Sequence, residues 1–226
     1  MKLKLLLSFT LAGTLLFSCG NDKTKENQTE LGVDQAPFNY NVDQFADVKV
    51  LRYQIPGWED LTLKEQKLVY YLTEAGLSGR DIMWDQNYKH NLKIRKALES
   101  VYTTYNDDKT TEAWVAFEIY LKRVWFSNGI HHHYSNDKLK PDFSADYLKQ
   151  LLAETNTVLE GDAFDVIFNN VDAKKVNQAK GVDNVALSAV NFYGEGVTTS
   201  DVVKFYASKK SPDPTKPLSF GLNSQL

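Results

Sequence analysis

The sequence predicts an α+β fold, mostly helical, on three observations. Apolar residues recur at helical spacing in several separate segments, two of those segments open on the capping signals Thr62 and Ser144, and one alternating run stands near the end of the chain. In Leu61 to Gly76, Thr62 is followed three residues later by Glu65, the pattern of a capping box. Leu68, Val69 and Leu72 then follow at helical spacing, and Gly76 stands near the end of the predicted helix.

Two further helices are predicted over Asn91 to Tyr105 and Thr111 to Phe126, joined by the polar turn Asn106-Asp107-Asp108. The second is apolar over much of its circumference, so it is expected to lie deep in the fold. A polar loop spans Ser127 to Pro141, and a helix over Ser144 to Leu159 resumes with Ser144 as its N-cap. Val166, Ile167 and Phe168 fit either a short strand or a turn of helix, which so short an apolar run does not separate. Asn191 to Gly196 reads as a turn region, and Thr198 to Ser208 as a helix starting at Thr199 or Ser200. Ser211-Pro212-Asp213-Pro214 is a breaker. Leu218, Phe220 and Leu222 alternate as a half-buried strand does over Leu218 to Leu226. With no obvious partner for that strand, the chain is expected to be cut in mid-domain.

The first residues carry an address. Lys2 and Lys4 precede an apolar run from Leu5 to Leu16, and Leu16-Phe17-Ser18-Cys19 follows at once. This is the order of a bacterial secretion signal. The run is shorter than the roughly 20 residues that span a bilayer. Its end resembles a lipobox, in which the peptide before the cysteine is removed and Cys19 carries acyl chains. An ordinary signal peptide with a chance cysteine is the alternative. The single cysteine of the chain, at the foot of the apolar run, argues against it. Residues 1–18 are therefore expected to be a lipoprotein signal peptide, 19–36 a flexible polar tether, and 37–226 the folded body.

Without Lys2 and Lys4, the 26 basic residues fall to 24 against 29 acidic ones, a net charge of about −5. That gives a nucleic-acid partner no electrostatic support. The single cysteine also excludes disulfides within the chain and zinc-thiolate sites.

His131-His132-His133 is the most conspicuous cluster of potential ligands. Imidazoles bind zinc and copper, but consecutive side chains on an extended loop point in different directions. A polar or ligand-facing loop is the favoured reading, and no metal is assigned to this chain. His90 falls at a predicted helix end. No Gly-x-Ser-x-Gly elbow, phosphate-binding glycine loop or His-Glu-x-x-His helix occurs. The adjacent acids Glu59-Asp60 and Asp107-Asp108 have diverging carboxylates and suit turns. Trp114 and Trp125 lie on the apolar helix, where core packing is their expected role.

Three stretches together resemble the N-terminal part of dipeptidyl peptidase III, a family of zinc-dependent exopeptidases that release dipeptides from peptide N-termini. They are Leu63 to Arg80 (LKEQKLVYYLTEAGLSGR), Ala116 to Pro141 (AFEIYLKRVWFSNGIHHHYSNDKLKP) and Asn191 to Leu222 (NFYGEGVTTSDVVKFYASKKSPDPTKPLSFGL). The resemblance extends from about Phe45 onward and is nearest to bacterial members. It implies that 37–226 is an incomplete N-terminal lobe, part of the lower lobe of a two-lobed peptidase, ending in a strand of a β-barrel-like core. That lobe faces a helical catalytic lobe across a cleft that closes on an oligopeptide substrate. The family's HExxGH zinc motif and its glutamate-bearing partner lie beyond the matched region, and neither occurs in this sequence. The resemblance therefore implies zinc in the full-length protein and none bound by this chain. The catalytic C-terminal part of the same protein is the implied partner, and this chain alone is expected to be inactive.

The loop after Asn128 is implied to border the cleft. Tyr134 matches a position, aromatic in related enzymes, that lines a substrate subsite, so Asn128 and Tyr134 are the candidate substrate-binding residues. The histidine triplet departs from the family pattern, in which other polar residues stand. The alternative is a complete, non-catalytic, peptide-binding envelope lipoprotein. In either case the membrane is reached through the lipid on Cys19, at the periplasmic or outer face of a bacterial envelope. A lobe cut from its remainder is expected to leave apolar surface exposed.

Overall fold

The structure is a computed structural model, and it describes residues 38–207 together with 209 and 215. The chain divides into two units, Met1–Phe38 and Asn39–Leu226. The leader, the tether, Cys19, the breaker at Ser211 to Pro214 and the strand expected over Leu218 to Leu226 lie outside the described residues. What is described is mixed α and β: one two-stranded sheet followed by seven helices.

The sheet is an antiparallel hairpin of β1 (Asn41–Phe45) and β2 (Val48–Leu51), with Phe45 opposite Val48 and an irregularity between Asn41 and Asp43. Its two-residue connection places Ala46 at φ 46°, a left-handed conformation usually supplied by Asn or Gly. A lone hairpin is marginal in water. This one is tied down by Lys122, 3.0 Å from Asp43, by Arg123, 2.6 Å from Asp47, and by the buried ring of Phe45.

Helix α1 (Leu63–Ser78) begins at the capping box read from the sequence: Thr62 Oγ1 accepts from Glu65 N–H, and Glu65 Oε2 accepts from Thr62 N–H at 2.8 Å. It runs past Gly76 to a C-cap at Gly79, which also opens α2 (Arg80–Asn87). No residue of α1 is buried. Leu68, Val69 and Leu72 mark an apolar face as expected, but that face is open to solvent. In α2, Trp84 is buried while Ile82 and Met83 are exposed.

Helix α3 (Asn91–Thr104) is the hub, in contact with α2, with α4 (Glu112–Ser127), with α5 (Ala145–Glu154) and with α6 (Asp162–Phe168). The core is built from Ile94, Leu98 and Val101 of α3, Phe117, Leu121 and Val124 of α4, and Leu148 and Leu151 of α5, each fully buried. The spacing of three and four puts each set on one helix face. Each such side chain contributes roughly 1.5–3 kcal/mol by leaving water. Trp114 is buried and stacks on Tyr105 at 4.4 Å, whereas Trp125 is only partly buried and its indole N–H donates to Glu99 at 2.9 Å. Arg95 lies over the Trp84 ring and pairs with Asp81 at 2.9 Å, clamping α2 to α3.

The expected N-cap Ser144 accepts from the backbone three residues on, and so does Thr111 ahead of α4. The segment left open between strand and helix is helical. Gly161, at φ 57°, starts α6, and its carbonyl accepts from Phe164 and Asp165 N–H at 3.0 Å. Asp162 and Asp165 in the first turn suit the positive end of the helix dipole. Helix α7 (Thr199–Ala207) follows the turn at Asn191 to Gly196. No helix among the described residues is long and apolar enough to cross a membrane.

Candidate functional site

The segment expected as a polar loop, Ser127 to Pro141, is a tight hairpin with a buried base. At its start α4 ends in a Schellman arrangement: Asn128 is left-handed at φ 51°, and Gly129 N–H donates to Val124 O at 3.0 Å. Asn87 Nδ2 donates to the Asn128 carbonyl at 3.0 Å. Asn91, fully buried, completes the joint: its Nδ2 donates to Trp84 O at 3.1 Å and its Oδ1 accepts from Ile130 N–H at 3.1 Å. Gly129, at φ 147°, leaves the room this amide needs, since a Cβ there would stand 2.2 Å from Asn91 Nδ2.

Beyond Ile130 the hairpin closes through backbone bonds. Leu139 N–H donates to Ile130 O at 2.8 Å and His132 N–H to Asp137 O at 2.7 Å. It is stitched outward to the next segment by Lys138 N–H to Ala173 O and Lys175 N–H to Asn136 O. That segment is joined in turn to Ala189 and Val190. Asn136, at φ 62°, makes the tip turn possible. The Lys138 ammonium bonds the Val171 carbonyl at 2.7 Å, and Lys174 pairs with Asp137. That partner, with the Ser135 hydroxyl, holds the Asp137 carboxyl below its ordinary pKa.

The three histidines go three ways. His131 is buried, its Nε2 2.7 Å from the Asp172 carbonyl, to which it donates. Its ring meets Tyr88 edge-on at 5.3 Å, and the Tyr88 hydroxyl donates to Asp172 Oδ2 at 2.6 Å. Among the described residues the buried His131 Nδ1 has no hydrogen-bond partner. Burial, with Lys138 and Lys175 nearby, lowers the His131 pKa despite the Asp172 carbonyl, so the ring is held neutral. Burial and the hydrogen bond to Asp172 push the Tyr88 phenol well up. His132 Nδ1 accepts from Tyr134 and Ser135 N–H at 3.2 and 3.1 Å, capping the tip turn. His133 lies between Phe126, at 4.9 Å, and Tyr134, at 4.3 Å, in a row of surface rings. The three rings sit in different surroundings, and among the described residues no group of three His, Cys, Asp or Glu side chains is placed to hold a metal.

Tyr134 stands at the hairpin tip, 83% exposed, while Asn128 is half-buried at the base. Cys19 lies outside the described residues. No protein-family model matches the chain. No curated protein matches it either.

Beside the hairpin, a cleft of about 410 Å³ is bounded by Tyr88, Lys89 and Asp172 on one side and by Asn191, Tyr193 and Gly194 on the other. It uses the Asn191 to Gly196 turn that the sequence marks. Neither Tyr134 nor Asn128 lines it. Sequence reasoning missed Asn91, Tyr88 and Asp172 as the residues that fix the hairpin. The one usable signal was Asn128-Gly129, a left-handed cap followed by a residue without a side chain.

Proposed function

We propose that this chain is the substrate-side part of a zinc-dependent dipeptidyl peptidase III, anchored to the bacterial envelope by a lipid on Cys19. In this reading the α+β body belongs to the lower lobe of a two-lobed enzyme, and the metal and its activated water belong to the C-terminal part of the same protein. The described residues bind and orient the peptide and carry no bond-breaking step. The observation that supports this most is the hairpin that the resemblance sets beside a substrate cleft. Its base is locked by Asn91, Gly129 and His131, and its tip offers a tyrosine that is 83% exposed. A rigid mount with an amphipathic aromatic at its end suits a peptide side chain, because the ring packs while the hydroxyl stays wet.

Two measurements test the proposal. The reading frame past Leu226 should continue into HExxGH, and membranes carrying the protein from its own locus should release dipeptides from an arginyl-arginyl substrate. Tyr134→Ala should then raise KM about tenfold with little change in kcat, the pattern of lost uniform binding. A stop codon directly after Leu226, with peptide binding but no cleavage, would replace the peptidase with a non-catalytic binding lipoprotein. An unchanged KM would remove Tyr134 from the site.

A further inference from the structure

The cleft beside the hairpin carries charges of both signs that do not pair with one another. Lys89, Asp172 and Glu195 all line it, and among the described residues none of the three forms an ion pair. Asp172 is fixed from two directions. Its carbonyl accepts from the buried His131 Nε2–H at 2.7 Å, and its Oδ2 accepts from the Tyr88 hydroxyl at 2.6 Å. Its backbone is left-handed at φ 51°, a conformation that a residue with a side chain keeps where its surroundings hold it. Oδ1 of the same carboxylate has no hydrogen-bond partner among the described residues. A half-buried carboxylate held this way is a ready acceptor for an ammonium group, since charge-assisted bonds are roughly twice as strong as neutral ones.

Lys89 is exposed and follows Tyr88 in the chain, so a cation stands one residue from the phenol that holds Asp172. Glu195 is exposed as well, and it adds to the field that draws an ammonium inward. The lining also includes the half-buried valines Val185, Val190 and Val197. The loop that carries them is fastened to the body by Asn191 N–H to Gln86 O at 2.8 Å and Val190 N–H to Lys175 O at 3.1 Å. The cleft is therefore preformed, and at about 410 Å³ it suits a small ligand.

A ligand with an ammonium alone leaves Lys89 unanswered, and one with a carboxylate alone leaves Asp172 unanswered. From this juxtaposition we infer that the cleft binds a small zwitterion with an apolar side chain, an amino acid or a dipeptide. Its ammonium rests on Asp172 Oδ1, its carboxylate on Lys89 and its side chain among the valines. The inference does not rest on the peptidase reading. A peptidase site elsewhere in the protein would hold a dipeptide whether or not Asp172 and Lys89 are changed.

Isothermal titration of the purified full-length protein with L-leucine and with L-leucyl-L-leucine tests it, and whichever binds more tightly names the source of the zwitterion. Leucine methyl ester lacks the carboxylate and N-acetyl-leucine lacks the ammonium, so each should bind at least about tenfold more weakly than leucine. Asp172→Asn keeps an oxygen for the Tyr88 hydroxyl and suits a left-handed backbone. It should lower the affinity about tenfold or more while leaving the unfolding temperature in place. Lys89→Met should do the same from an exposed position, and Lys89→Arg should retain binding. No saturable heat up to about 10 mM, equal binding of the ester or the acetyl compound, or binding that both substitutions leave unchanged would each overturn the site.

Discussion

Replacing Gly129 by alanine tests whether the joint beneath the hairpin sets the stability of the body. The added Cβ would meet Asn91 Nδ2 at 2.2 Å and Cγ at 2.8 Å, both far inside contact distance. Asn91 is fully buried, and moving it strands Ile130 N–H, whereas Trp84 O keeps the Tyr88 N–H. Each buried polar group left unpaired costs about 1–3 kcal/mol. The alanine must also adopt φ near 147°, which adds about 1–3 kcal/mol of backbone strain. The sum, about 2–6 kcal/mol, is a large fraction of the 5–15 kcal/mol typical of a whole domain. Urea unfolding followed by tryptophan fluorescence measures it, with Trp84 reporting from inside the joint. A double-mutant cycle apportions the cost. In an Asn91→Ala background the clash is gone, so Gly129→Ala should cost only the backbone term, leaving a coupling of about 1–3 kcal/mol. A Gly129→Ala variant within about 0.5 kcal/mol of the parent, the range of an ordinary surface change, would refute the joint.

His131 and α1 give two further tests. Burial lowers the His131 pKa in the folded state, so the unfolded chain binds the proton first. Stability is therefore full above the unfolded value of about 6.5 and falls as pH drops through it. Urea midpoints between about pH 8 and pH 5 should slope less in His131→Gln than in the parent, and parallel slopes would refute the assignment. Thr62→Ala removes the capping box, a change of about 1 kcal/mol to the helix. Because no residue of α1 is buried, amide exchange in its first turn should quicken while the melting of the body stays put. A matching drop in overall melting temperature would show that α1 is integral to the core.

What could be read from the sequence was local. Thr62 with Glu65 and Ser144 each signal a helix start within four residues, and each caps as expected. What could not be read was held by distant partners. The β1–β2 hairpin turns on Ala46-Asp47, which lacks the Asn-Gly or Asp-Gly signature, and it is secured by Lys122 and Arg123. Helix α2 is short and owes its place to Trp84 and the Arg95–Asp81 pair. The histidine run looked like solvated loop because polarity in sequence carries no depth. His131 is buried only because Asp172, forty-one residues on, offers it a carbonyl. On α1 the periodicity showed which face is apolar, and it was silent on what covers that face.

The hairpin from Ile130 to Leu139 is fastened by main-chain bonds and by side chains at its base, while Tyr134 adds its ring to the outside. Stability draws on the base, and in the proposed reading recognition draws on the tip. The tip position can drift through aromatic, aliphatic or polar side chains without loosening the mount beneath it. A substitution at the tip leaves the element standing, whereas a change at Asn91 or Gly129 puts the whole of it at risk.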